Sequence, residues 1–171
     1  SSQEDLRSFL NENKKIVVKP LDGMGGRSIF IVEKGEKNTN TIFEEMTKND
    51  SKTIMAQKYI PEIKNGDKRI HLVFGKHVDM ALARVPSEED HRGNLVMGAV
   101  GEVRKLTQRD KEICNQIGAT LLKAGVYFAG IDVIGDYLSE INITSPTGMR
   151  EISKNSEVNV SDVFFKALQK N

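Results

Sequence analysis

Short β-branched and apolar runs recur along this chain, and twice they fall next to one another: 67–74 with 76–84 across Gly75, and 127–134 with 138–143 across three residues. Such neighbours read as hairpins, with glycine supplying the backbone freedom that a tight turn needs. Helix signals lie between the runs. Ser2 with Asp5 makes a capping-box pattern ahead of Leu6, Phe9 and Leu10, and Thr41 with Glu44 makes another on a helix carrying Ile42, Phe43 and Met46. Thr107 with Asp110 precedes Ile113, Ile117 and Leu121, which recur every four residues until Gly125 stands at the expected C-cap. A closing helix is expected over 161–170 with Val163, Phe164, Ala167 and Leu168 inward. Further strands are expected at 15–19, 28–33 and 53–58, the first two flanking a glycine loop, and a boundary near Pro61 divides the chain into units 1–61 and 62–171. Residues 85–101 hold Pro86, an acidic run and three glycines without a period, and read as a mobile loop.

Charge and cysteine content exclude several classes of function. The 25 Lys+Arg against 24 Asp+Glu leave +1, so any recognition of an anion must be local, and neither nucleic acid nor a membrane surface is an expected partner. Cys114 is a lone cysteine, which cannot make an internal disulfide, and no long apolar run or leader pattern is present; a cytoplasmic location is the expectation.

Two segments carry chemistry. In Lys19-Pro20-Leu21-Asp22-Gly23-Met24-Gly25-Gly26 the glycines let backbone N–H groups approach a ligand unobstructed, as a phosphate cradle requires, and Lys19 adds a point charge. The segment is neither a Walker A loop, since no Gly-Lys-Ser/Thr follows, nor a dinucleotide fingerprint, since a strand follows it; a glycine-rich hairpin with a solvated lysine would read the same way. In the second segment, Asp132, Glu140 and Asn142 offer hard oxygen donors suited to a divalent cation such as Mg²⁺. Glu140 and Asn142 share a strand face; a three-residue turn over 135–137 would add Asp132 to that face, and a two-residue turn would put it on the other. Ile131, Val133, Ile141 and Ile143 would then face the core. An ordinary amphipathic hairpin remains the alternative. Arg69, Arg84 and Arg92 have the planar fork that suits carboxylate and phosphoryl oxygens. His71, His77 and His91 lack metal-ligand spacing, and Cys114 is read as packed rather than reactive.

Taken in order, the glycine loop, Gly66-Asp67-Lys68-Arg69, Ala83-Arg84-Val85-Pro86, Arg92-Gly93-Asn94-Leu95, Gly130-Ile131-Asp132 and Glu140-Ile141-Asn142-Ile143-Thr144-Ser145-Pro146-Thr147 closely resemble the bacterial glutathione synthetase family, from about Ser8 to the C-terminus. The resemblance implies the α+β ATP-grasp fold, two lobes with mostly antiparallel sheets enclosing ATP, and the Mg²⁺-dependent joining of γ-glutamylcysteine to glycine through an acyl phosphate, with Mn²⁺ as an alternative metal. By the same resemblance Lys19, Gly23, Met24, Gly25 and Gly26 hold phosphates; Gln57, Lys58, Tyr59 and Ile60 line the adenine; and Asp67 sits near the ribose. Asp132, Glu140 and Asn142 bind metal, Arg69 and Arg84 stabilise the transferring phosphoryl group, Arg92 acts from a lid over 85–101, and Ser145 and Thr147 hold substrate carboxylates. A homo-oligomer, commonly a tetramer, is implied as well. Val100 and Gly148 depart from the family pattern, which expects a basic residue in the lid and a cysteine or bulkier residue respectively. The family's preceding substrate domain is not in this sequence, so the chain is expected to be a fragment. Another ATP-grasp carboxylate–amine ligase, or a silent nucleotide-binding module, would share much of this pattern.

Overall fold

The alternating burial of Ile16 and Val18 against Lys15, Val17 and Lys19 shows how the first unit, Ser1–Pro61, is built in the computed structural model, which describes residues 2–23, 25–86 and 100–170. Strand β1 (Lys15–Pro20) lies between β2 (Phe30–Glu33) and β3 (Ile54–Lys58), antiparallel to both. Helices α1 (Gln3–Asn13) and α2 (Thr39–Thr47) cover one sheet face, burying Leu6, Leu10 and Phe43 with Ile16, Val18, Val32 and Ile54. The expected capping box closes α1: the Ser2 hydroxyl accepts from the Asp5 N–H, and Asp5 accepts from the Ser2 N–H. The expected Thr41 cap does not form. Helix α2 starts three residues earlier, with Asn38 at its N-cap making no side-chain cap bond and the Thr39 hydroxyl donating back to the Glu36 carbonyl, so Thr41 already lies inside the helix.

The second unit, Glu62–Asn171, is a five-stranded antiparallel sheet in the order β6-β5-β4-β7-β8. Its strands are β4 (Asp67–Val73), β5 (Lys76–Val85), β6 (Val100–Lys105), β7 (Phe128–Ile134) and β8 (Tyr137–Asn142). Helix α3 (Gln108–Lys123) covers one face, where Ile113, Cys114 and Leu121 pack on Ile70, Leu72, Ala81, Ala129, Ile131 and Val133. Its capping box, Thr107 with Asp110, and Gly125 at φ 78 just beyond its end are as the sequence predicts. Asp110 does more than cap: fully buried, it pairs with the Lys68 ammonium and ties the helix start to β4. On the other face α4 (Met149–Lys154) and α5 (Val160–Leu168) bury Ile152 and Val160 against Val73, Val78 and Leu82.

Three expectations need correction here. The sequence carries no signal for strand β6 or helix α4, because β6 is a mostly exposed edge without hydrophobic alternation and α4 is a single short stretch of six residues. Val85 pairs with Val100 and Arg84 with Gly101, so both ends of the segment read as a loop belong to strands; 87–99, with His91 and Arg92, lie outside the described residues. Of the four residues expected inward on α5, Phe164 and Ala167 pack on the core, whereas Val163 and Leu168 are exposed.

The β4–β5 hairpin turns on Phe74 and Gly75, both at positive φ (47° and 74°), the pattern of a two-residue turn that matches strand twist. Helix α3 runs against this turn so closely that a Cβ on Gly118 would stand 2.0 Å from the Gly75 carbonyl oxygen. Gly118→Ala must push the helix off the sheet and is expected to cost about 1–3 kcal/mol, read as a lower urea midpoint with unchanged slope.

Candidate functional site

Strand alternation sorts the chemistry of the second unit onto one face. Lys68, Ile70 and Leu72 of β4 face α3, which leaves Asp67, Arg69 and His71 on the opposite side; pairing places Asp132 of β7 beside Arg69, and Arg84 of β5 beside Asp67. One end of that face is the apolar core beneath α4 and α5. The other end is charged. Arg69 holds the Asp132 carboxylate with two parallel bonds, Nε to Oδ1 at 2.5 Å and Nη2 to Oδ2 at 2.9 Å. Arg84 Nη2 bridges Asp132 Oδ2 at 3.0 Å and Asp67 Oδ2 at 2.5 Å. Arg69, Arg84 and Asp132 are no more than 8% exposed, so these charges sit where water cannot screen them.

Burial alone would raise the Asp132 carboxyl; the Arg69 hydrogen bonds and the charges of Arg84 and Arg69 overcome it and hold the group below the usual carboxylate range. Asp67 moves the other way. Burial, and then the neighbouring Asp132 charge, push its carboxyl up against the pull of Arg84 and Arg69. Asp67 Oδ1 and Arg84 Nε have no protein partner within hydrogen-bonding geometry.

Glu140 and Asn142 complete the face, paired across the hairpin with Asp132 and Gly130. The turn is not the three-residue one considered from sequence. Ile134 pairs with Tyr137, leaving only Gly135 and Asp136 in the turn, and a β-bulge at Ser139 adds the residue that brings Glu140 opposite Asp132. Asn142 is best satisfied with its amide nitrogen 3.0 Å from Glu140 Oε1 and its oxygen 3.3 Å from Arg69 Nη2. Ile131 and Val133 are fully buried as expected, but Ile141 and Ile143 are 39% and 57% exposed. The reason is that β8 is a sheet edge: Ile141 pairs with Ile131 and shares its face, yet lies past the part of the sheet that α3 covers.

The segment after β8 is fastened to the same cluster. Arg69 Nη1 donates to the Thr147 carbonyl at 3.2 Å, and Pro146 is buried, while Ser145 and Thr147 are exposed. Gly130 makes the fit possible, since a Cβ there would lie 2.7 Å from Pro146 Cβ and 2.9 Å from Arg69 Cδ. His71 sits where the charged and apolar halves of the face meet, stacked on Phe128 at 5.6 Å, fully buried and with neither ring nitrogen in a well-formed hydrogen bond. Burial first, and then the Arg69 charge, lower its pKa from 6.5 to about 4. The folded state therefore keeps His71 neutral while the unfolded chain takes up a proton between pH 6.5 and 4. Its stabilising effect is complete above that window and is lost as pH falls through it, by about 3 kcal/mol in all. His71→Leu is expected to flatten this acid limb in thermal melts taken from pH 7 to pH 4. The sequence marked neither Gly130 nor His71 for these roles, because what matters is the contact across the sheet.

In the first unit, Gly25 and Gly26 take positive φ (68° and 76°), as does Ser28 (56°), and a Cβ on Gly25 would meet open space; Met24 lies outside the described residues. Lys19 pairs with Met55, Lys58 with Ile16 and Gln57 with Val17, and the Tyr59 N–H donates to the Lys15 carbonyl while the Lys15 ammonium lies 4.8 Å above the Tyr59 ring. Ile60 follows at the end of this unit.

Among the described residues no three His, Cys, Asp or Glu side chains are grouped to hold a metal unaided. Besides Asp67, which Arg84 holds, the site offers two carboxylates, Asp132 and Glu140, and the Asn142 amide oxygen, and the Asp132 carboxylate is already held by arginines. That donor set fits a cation sharing its coordination sphere with phosphate oxygens and water, the habit of Mg²⁺ rather than of zinc. No helix among the described residues is long and apolar enough to cross a membrane.

The glutathione synthetase of Coxiella burnetii is 48% identical over 164 residues, 96% of this chain and 51% of the relative. That of Nitrosomonas europaea is 48% identical over 172 residues, all of this chain and 54% of the relative. The chain thus spans about half the length of the curated relatives it matches. The solved structure of the ATP-grasp ligase PsnB complexed with a phosphomimetic variant of its minimal precursor, Mg and ADP superposes with a TM-score of 0.67 at 17% identity, covering 99% of this chain and 50% of that one, which shows a shared fold. The family model for the ATP-grasp domain of prokaryotic glutathione synthetase matches residues 1–157, so the glycine loop, the arginine–carboxylate cluster and the bulged hairpin all fall within it. The chain belongs to that ATP-grasp family.

Proposed function

We propose that this chain is the nucleotide- and metal-binding part of a glutathione synthetase, which joins γ-glutamylcysteine to glycine at the expense of ATP. The observation that carries the reading is the single face on which Arg69, Arg84, Asp67, Asp132, Glu140 and Asn142 converge. Two guanidiniums against three carboxylates make it a place where phosphoryl oxygens and a divalent cation can both be neutralised.

In this reading Glu140 and Asn142, with Asp132, hold Mg²⁺, which when bound draws charge from the ATP phosphates. Arg69 and Arg84 face the transferring phosphoryl group and the acyl phosphate formed on the γ-glutamylcysteine carboxylate. The glycine amine then attacks that acyl phosphate and phosphate leaves. Gly23, Met24, Gly25 and Gly26 with Lys19 cradle phosphates, Gln57 to Ile60 lie along the adenine, and Asp67 reaches the ribose from a position already braced by Arg84. Exposed Ser145 and Thr147 offer hydroxyls to substrate carboxylates, and Arg92 covers the intermediate. The chemistry asks for alignment and charge neutralisation more than for a dedicated proton carrier, and the cluster holds arginines rather than a poised base.

The test is calorimetric titration with ATP, with and without Mg²⁺, on the parent chain and Glu140→Gln, followed by ADP release with γ-glutamylcysteine plus glycine. Glu140 is exposed, so its replacement is expected to weaken Mg²⁺-dependent ATP binding by at least about tenfold, the lower end of what losing a group that only orients a metal ligand costs, without lowering the melting temperature. ADP release that requires both substrates supports the assignment. Release with other carboxylate and amine pairs instead would point to a different ligase, and binding without any turnover to a nucleotide-binding module.

A further inference from the structure

Strand β8 poses a problem of register. Hydrophobic patterning normally fixes how a strand pairs, because a slip of one residue turns its apolar set out of the core. Here that constraint is missing: no side chain of β8 is buried, and Tyr137, Leu138 and Ile141 are all exposed. The two-residue turn would by itself continue the ladder from Ile134↔Tyr137 and Val133↔Leu138 to Asp132↔Ser139 and Ile131↔Glu140. Residues opposite one another share a face, so that ladder would direct Glu140 and Asn142 to the α3 side with Ile131 and bring Ile141 among the arginines. Instead the register shifts at Ser139, which is accommodated as the extra residue of a bulge, and the ladder resumes as Asp132↔Glu140, Ile131↔Ile141 and Gly130↔Asn142. The Ser139 hydroxyl donates to the Asp132 carbonyl at 3.1 Å, bonding the bulged residue to the neighbouring strand.

We propose that Ser139 is a positioning residue, whose bulge and hydroxyl clamp hold Glu140 and Asn142 on the Asp132 face. The assignment of that face to metal rests on the function proposed above; the register claim does not. A bulge is the economical solution to a specific conflict, because a two-residue turn fixes the hairpin tip while the donor set needs one residue more.

The conflict generates an unusual expectation, namely that removing Ser139 is milder than trimming it. Deletion leaves Leu138 followed by Glu140, so a regular ladder from the same turn restores every observed pair from Asp132↔Glu140 onward. Ser139→Ala keeps the extra residue but loses its clamp.

Register is read by cysteine crosslinking in the otherwise unchanged chain, since the native Cys114 is buried. Ile131→Cys with Ile141→Cys is expected to oxidise readily in the parent background and Ile131→Cys with Glu140→Cys poorly. Adding Ser139→Ala should raise the second at the expense of the first, whereas Ser139→Thr and the deletion should leave the parent pattern. Without the cysteines, Ser139→Ala should raise the Mg²⁺ concentration needed for half-maximal ATP binding about tenfold, the usual scale for a group that orients metal ligands, and the Thr and deletion variants should restore it. Crosslinking in Ser139→Ala that matches the parent overturns the proposal, as does a deletion that loses the Ile131–Ile141 crosslink. If the parent shows no Mg²⁺-dependent ATP binding, the functional reading fails while crosslinking still decides the role of Ser139.

Discussion

Replacing Asp132 with alanine is expected to lower the unfolding free energy by about 3–5 kcal/mol, because it leaves buried charges without their partner. Arg69 loses both of its bonds to the carboxylate, and Arg84 keeps only Asp67, whose own carboxyl is pushed upward and so is the weaker counter-charge. For a chain of this size the loss corresponds to a fall in melting temperature of roughly 10 °C. Asp132→Asn preserves shape and should still lose most of this, which separates the missing charge from a cavity. Removing the Asp132 charge also lets Asp67 ionise more easily, so the Asp67 carboxyl is expected to titrate lower in either variant, measurable by carboxyl NMR shifts. The contrast with Glu140→Gln is informative. Both residues belong to the proposed donor set, but only Asp132 is buried, so only its loss should be visible in a melt taken without nucleotide or metal. Equal melting temperatures for Asp132→Ala and the parent would mean that the two arginines find other partners, and the cluster would not be the scaffold described above.

The uneven legibility of the sequence follows from where each signal resides. Caps written in adjacent residues, Ser2 with Asp5 and Thr107 with Asp110, were readable because they act within one turn of helix. The Thr41 cap failed for the complementary reason: the Ser/Thr-x-x-Glu spacing also occurs inside helices, and only the preceding turn at Glu36 decides where α2 starts. Order along the chain identified the family because its motifs are dispersed and individually weak but jointly specific. Residue contacts across the sheet were not readable. Whether Asp132 shares a face with Glu140 depended on one residue of register, and the sequence offered turn length as the deciding variable. The structure settles it with a shorter turn and a bulge, a combination that gives the same pairing as the longer turn from Asp132↔Glu140 onward. Ile141 and Ile143 were expected inward on alternation alone, yet a strand at the sheet edge can alternate without anything to cover it.

Gly130→Ala is expected to reduce turnover about a hundredfold, because the added methyl displaces Arg69, the group proposed to face the transferring phosphoryl, and to cost about 3–5 kcal/mol of stability where it opens the buried Arg69–Asp132 pair. The methyl would meet Pro146 and the stem of Arg69, and of these the arginine is the easier to move, since its side chain is long while Pro146 is held in the buried part of the loop. Displacing the Arg69 stem swings the guanidinium away from Asp132 and from the Thr147 carbonyl, so alignment suffers at the position proposed for the phosphoryl group and in the loop proposed to hold substrate together. ATP affinity measured without Mg²⁺ should change little, since the groups proposed to cradle its phosphates and base lie in the first unit. A double-mutant cycle with Arg69→Ala tests the route. If glycine at 130 matters because it makes room for Arg69, adding Gly130→Ala to Arg69→Ala should cost almost nothing further in kcat. If the two losses multiply, the methyl acts through Pro146 and the loop that carries Ser145 and Thr147, and KM for the carboxylate substrate should rise as well. The same cycle therefore tells which of two contacts, both visible at a single glycine, governs the rate.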